Sequence, residues 1–146
     1  MPEQQTIQRA RRDAAEGKSP STQAGEFVRE QIHHIREGKH GARSTKQAIA
    51  IGLSEARRSG VPLAPPKGRG EVTRKARRDV AAGKRRKRPS PKRSRARVKA
   101  LKKEGRSAAS HSALSRQAKQ AARKRGPRAR SQAAKKAART RRRTQG

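Results

Sequence analysis

The sequence predicts a mostly α fold: a small helical hairpin followed by a long basic, largely disordered or conditionally helical C-terminal arm. Three observations lead there. Apolar side chains at helical spacing are confined to about residues 22–59. Only 28% of the chain is hydrophobic, and Phe27 is its one aromatic residue, so little core is available to offset the entropy of ordering 146 residues. The charge is also uneven: residues 1–66 hold 11 Lys and Arg against 7 acids, and residues 67–146 hold 32 against 3.

Taken in order, a short helix is expected around Gln4–Glu16, lending Ile7 to the core. Ser21 or Thr22 can cap a second helix from about Gln23 to Arg36, on which Val28, Ile32 and Ile35 stand at i, i+4, i+7 beside Phe27. Gly38 and Gly41 interrupt it. Ser44 or Thr45 then caps a third helix, with Ile49, Leu53 and Ala56 at the same spacing, and Gly60 with Pro62 ends it. The chain thus divides into a helical region at 1–60 (hairpin about 22–59), a Pro/Gly linker at 61–70 and a polycationic arm at 71–146. Phe27, Val28, Ile32, Ile35, Ile49 and Leu53 are the expected hairpin core. In so small a fold they also offer a surface for a homodimer.

In the arm, segments 72–83, 94–104, 110–125 and 131–142 are rich in Ala, Arg, Lys and Gln, all good helix formers. Like charges at i, i+4 oppose them, hence the expectation of disorder until a polyanion binds. Beneath the charge lies a repeat. ARRDAAEGK at 10–18 returns as ARRDVAAGK at 76–84, REGKHGA at 36–42 as KEGRSAA at 103–109, and EARRSG at 55–60 as AARKRG at 121–126. Three matches in order at an offset of 66 or 67 suggest that the arm is a degenerate duplication of the first part.

A formal charge of +33 predicts a polyanionic partner, most commonly nucleic acid, with acidic membranes or polyphosphate as the alternatives. No cysteine is present, and no run approaches the ~18 apolar residues of a membrane span. The opening MPEQQTIQRARRD reads as no targeting signal, so a cytoplasmic protein is expected. His33 and His34 diverge by about 100° on a helix and cannot face one ion together, so no metal is expected. Nothing resembling a catalytic constellation or a phosphate loop appears, so neither an enzyme nor a bound cofactor is expected. The order A-x-x-x-G-L-S, formed by Ala48, Gly52, Leu53 and Ser54, resembles the turn of a DNA-reading helix-turn-helix. Only Glu55–Ser59 follows before Gly60, too little for a recognition helix, so a single helix through Gly52 is the better reading.

The charge runs point to nucleic-acid phosphate. The side chains selected are Lys84, Arg85, Arg86, Lys87, Arg88, Lys92, Arg93, Lys102, Lys103, Arg123, Lys124, Arg125, Arg141, Arg142 and Arg143. Ser90-Pro91-Lys92-Arg93 resembles the S-P-basic-basic turns of linker-histone tails, which implies minor-groove contacts from Ser90 and Pro91 as well. The tail QAAKKAARTRRR at 132–143 resembles those tails in composition. With no Tyr or Trp and one Phe, stacking on single strands is disfavoured and duplex DNA is the better target.

The stretch 19–63, with SPST-x-AGEFVRE, EGKHGARS-x-KQAIAIGLSEAR and GV-x-L, resembles a family of small Lys/Arg-rich bacterial proteins. The likeness continues through KRSRA, LKKEGRSAAS, ALSRQAKQAA and AAKKAART. That family is catalogued as a domain of unknown function, and members are sometimes labelled plasmid-stabilisation or DNA-binding proteins. The resemblance implies DNA association in a bacterial cytoplasm. The expected function is therefore sequence-independent binding of duplex DNA, nucleoid- or plasmid-associated and histone-like. An RNA- or ribosome-associated protein, and an adaptor held on DNA by its arm, are the alternatives.

Overall fold

The expected disorder of the arm is corrected by the structure. The computed structural model describes residues 1–86 and 88–146, and the arm is helical throughout most of its length. Among the described residues there are six α-helices: α1 (Gln4–Ala15), α2 (Pro20–Arg36), α3 (Thr45–Arg58), α4 (Glu71–Lys84), α5 (Pro91–Leu101) and α6 (His111–Gln145), with a 3₁₀ turn at Ser107–Ala109. Two physical terms explain the correction. Ala, Lys, Arg and Gln sit at the top of the helix scale, whereas like-charge i, i+4 pairs such as Lys135–Arg139 each cost only about 0.2–0.5 kcal/mol. Arg142 and Arg143 in the last turn of α6 also face the negative end of the helix dipole.

Serines start three of these helices. Ser19 Oγ accepts from the Thr22 amide, Ser44 Oγ from Gln47 and Ser110 Oγ from Ala113. Pro20 occupies the first turn of α2, where its missing N–H costs nothing, so that helix begins before the Gln23 expected from sequence. Gly38 and Gly60 follow α2 and α3 at φ 77° and 93°, conformations that L side chains rarely adopt. Positions 66 apart recur in role: Ser44 and Ser110 are caps, and Ala10, Ala76, Asp13 and Asp79 are buried.

The core has two parts. Ala10, Ala24, Phe27 and Ala56 form one, edged by Ile7, Leu53, Val61 and Leu63. Ile32, Ile35, Ala42, Ala48, Ala108 and Ala109 form the other, edged by Val28 and Leu114. On α3 the buried side is Thr45, Ala48, Ile51, Gly52, Ser54 and Ala56, while Ile49 and Leu53 are half-buried. Gly52 explains that choice of face. A Cβ there would lie 2.6 Å from Val28 Cα and 2.8 Å from Val28 N, so α2 and α3 meet backbone to backbone at this glycine. Gly52→Ala should lower stability by about 2 kcal/mol, the helix-propensity gain offsetting part of the overpacking. A urea titration followed by circular dichroism checks this; unchanged or raised stability would contradict the close approach.

Two fastenings hold the first part of the basic half, up to the start of α6. α4 docks on α3 through a polar knot: buried Asp79 accepts from Ser54 Oγ at 2.7 Å and from Arg58 Nε at 2.9 Å, with Lys75 Nζ 3.5 Å away. Gly83 there lies against the Arg57 carbonyl, leaving no room for a Cβ. The second fastening joins the α2–α3 loop to the segment after α5. Gly41 N donates to Leu101 O, Ala42 N to Gly105 O, Arg36 Nε to Ala109 O and Thr45 Oγ1 to Ala108 O at 2.6 Å. Between these points α5 buries only Leu101. No helix among the described residues is long and apolar enough to cross a membrane.

Candidate nucleic-acid interface

The basic side chains of the arm are held outward by helices that bury little. α6 has no buried residue, and its first segment leans on the second core cluster through Leu114. Leu114, Gln117 and Ala121 are half-buried at i, i+3, i+7 and make the packed face. Arg116, Lys119 and Arg123 have the same spacing on the opposite face and are exposed. At Gly126 (φ 75°, ψ 169°), followed by Pro127, the backbone leaves helical geometry, so α6 is two helical rods joined at a kink. On the second rod Arg128, Lys135, Arg139 and Arg142 recur at i, i+7, i+11, i+14, again as one exposed stripe. That rod extends for about 28 Å at 1.5 Å per residue, about the axial length of eight base pairs.

Each residue selected from sequence can now be placed. Lys84 ends α4, Arg85 caps it and Arg86 continues at φ 49°, in the left-handed region. Lys87 lies outside the described residues, and Arg88 is exposed. Ser90 is the N-cap of α5 without a side-chain capping bond, and Pro91 opens the helix, with Lys92 and Arg93 in its first turn. The SPKR run is therefore a helix start. Lys102 caps the end of α5, and Lys103 follows. Arg123, Lys124 and Arg125 precede the kink, while Arg141, Arg142 and Arg143 lie at the far end of α6. Arg143 Nη2 donates to the Gly17 carbonyl at 2.9 Å, bringing the end of α6 to the end of α1.

Charge pairing separates the two halves. Among the described residues, Lys18, Lys39, Arg58 and Lys75 are the Lys and Arg side chains in ion pairs, and none lies beyond Lys75. Acids are scarce there: Glu104 is the single carboxylate after Asp79. The arm is thus a run of hydrated, unneutralised cations on a helical scaffold. Its positive potential falls off over about 8–10 Å at ordinary salt.

Sequence reasoning missed Arg116, Lys119, Arg128, Lys135 and Arg139, because it selected clustered charges. The signal was the 3.6-residue period, which has meaning only once the arm is helical. Of the residues expected as hairpin core or self-association surface, Phe27, Ile32 and Ile35 are buried within the chain, and Val28, Ile49 and Leu53 are half-buried. Ile7 of α1 together with Val61 and Leu63 covers the Phe27 cluster.

No curated protein and no solved structure matches this chain. Residues 17–68, which span α2, α3 and the segment into the linker, match a family of unknown function (DUF6496).

Proposed function

We propose that this chain binds duplex DNA without sequence preference and acts by binding rather than catalysis. The arm supplies the phosphate contacts. The observation that carries this reading is the pair of exposed basic stripes on α6, unopposed by ion pairs among the described residues. A helix that carries exposed cations along its length and is anchored near its start by the small apolar contact of Leu114 can lie along a phosphate ridge. Each phosphate it neutralises releases condensed counterions, and that release drives the association.

Residues 1–58 and α4 act as the platform, giving the arm a fixed origin. Arg and Lys on regular helices contact phosphate and carry no base code, so affinity should depend on salt and hardly on sequence. The resemblance of 19–63 to Lys/Arg-rich bacterial proteins labelled DNA-binding or plasmid-stabilising supports the same reading. It would place the protein in a bacterial cytoplasm, on the nucleoid or on plasmids.

The test is a salt titration of the full chain on a duplex DNA and its shuffled counterpart, with a duplex RNA beside them. With six or more phosphate contacts, affinity should fall by about 10³-fold or more between 50 and 200 mM salt, equally for both DNA sequences. Binding confined to one DNA sequence, or insensitive to salt, would overturn the proposal. Tighter binding to RNA at matched salt would move the assignment to RNA.

A further inference from the structure

Four of the ten acids of this polycation share one cleft away from the arm, with Arg9, Arg29 and Lys39 on its lining as well. A cleft of about 190 Å³ between α1 and α2 is lined by Glu3, Glu26, Glu30, His34 and Glu37, among other residues. Within it, one donor atom from each of Glu3, Glu30 and His34 falls within 4.8 Å of the others. Glu30 and His34 are one turn apart on α2. Glu3, the residue preceding α1, comes from 27 positions earlier than Glu30 and is fixed by its own amide, which donates to Glu30 Oε1 at 2.6 Å. No local spacing could have revealed that third donor. The divergence of His33 from His34 is immaterial, because only His34 is needed.

Glu30 adds a second feature, independent of the grouping of the acids. Its side chain is only 4% exposed, and its Oε2 has no hydrogen-bond partner. Glu26 Oε2 on the same cleft is likewise buried and unpartnered. Buried carboxylate oxygens are normally satisfied, since leaving one without a partner is costly. Of the two, Glu30 is the one next to the imidazole, its Oε1 3.9 Å from His34 Nε2, and its unpartnered Oε2 belongs to the same carboxylate.

The distances suit a small cation. Four donors at 2.0–2.2 Å around one ion lie about 3.3 Å apart in a tetrahedron. His34 Nε2 is 3.0 Å from Glu3 Oε1 and 3.9 Å from Glu30 Oε1, either side of that value. Lys39 Nζ, 3.3 Å from Glu3 Oε1, is half exposed and can swing away when a cation arrives. One imidazole with two carboxylates favours a borderline ion of the zinc class over magnesium or calcium, which prefer all-oxygen sets.

We propose that Glu3, Glu30 and His34 form a three-ligand site for a divalent transition ion of the zinc class, leaving a fourth position for water. The ion clamps the residue before α1 to the middle of α2 and so tightens the covering of Phe27.

The test uses the full chain without an affinity tag, stripped with a chelator and titrated with zinc sulfate against a chromophoric competitor. One ion per chain should bind, and zinc should raise the unfolding midpoint. His34→Ala should weaken binding at least tenfold and abolish the midpoint rise, whereas His33→Ala and His111→Ala should match the parent. Glu3→Gln, at a half-exposed side chain, keeps the test clear of misfolding: it should lose zinc affinity while its metal-free midpoint falls only slightly, from the loss of its exposed pairs with His34 and Lys39. No binding at 100 µM zinc, or binding by His34→Ala or Glu3→Gln equal to the parent, would overturn the site.

Discussion

Phe27→Ala is expected to abolish cooperative unfolding of the first three helices at 37 °C while leaving much of the helical signal in place. Phe27 is fully buried and is the chain's one aromatic residue. Its buried neighbours are Ala10, Ala24 and Ala56, which have no side-chain length with which to close a hole. Phe-to-Ala changes in cores cost about 3–5 kcal/mol, most where the site cannot collapse. Natural domains of this size are stable by about 5–15 kcal/mol, and a core built mainly of alanines lies near the lower end. The loss is therefore comparable to the whole.

The second half of that result is the informative part. α6 buries no residue and draws its order from helix propensity and a short anchor, so it should keep its helicity when the Phe27 cluster fails. Far-UV circular dichroism should fall only in part, and DNA affinity should change far less than stability does. Val98→Ala, at an exposed side chain on α5, is the matched control and should be neutral. Complete loss of helical signal in Phe27→Ala would mean that α6 depends on the core far more than its burial indicates.

The bounds of α3 were legible because their causes are local, whereas α2 is capped by Ser19 and not by the Ser21 or Thr22 expected. Ser44 and Gly60 bracket α3 as their chemistry requires, and Phe27, Ile32 and Ile35 declare the inner face of α2. The inner face of α3 was legible in part. Hydropathy points to Ile49, Leu53 and Ala56, of which Ala56 is buried and Leu53 packs against the Phe27 cluster, but the approach of two backbones at Gly52 turns the side carrying Thr45, Ala48 and Ser54 inward as well. Small residues set that contact, and their hydrophobic signal is faint. The helix expected at 72–83 is α4, but how it docks was opaque for another reason. Its docking depends on Asp79 meeting Ser54 and Arg58, a polar arrangement with no periodic signature. The misjudged order of the arm came from weighting charge repulsion above propensity. The candidate DNA stripes on α6 follow at once when that weighting is reversed.

Neutralising six cations on the α6 stripes should reduce DNA affinity by about 10³-fold or more at 0.1 M salt, and the salt slope should fall by up to about 5. The variant replaces Arg116, Lys119, Arg123, Arg128, Lys135 and Arg139 with Gln. Gln is close to Arg and Lys in helix propensity, so α6 should keep its form, and circular dichroism verifies that. The companion variant removes the same charge from Arg9, Arg11, Arg12, Arg29, Arg43 and Lys46, all exposed and outside any ion pair among the described residues. Both variants carry equal net charge, so long-range attraction falls about equally in each. If α6 is the interface, only the stripe variant loses phosphate contacts, and only its slope should collapse. Equal losses in the two would mean that net charge alone sets affinity and that α6 is no interface. A steeper loss in the stripe variant, undiminished on a shuffled duplex, is what a helix reading phosphate and not bases must give.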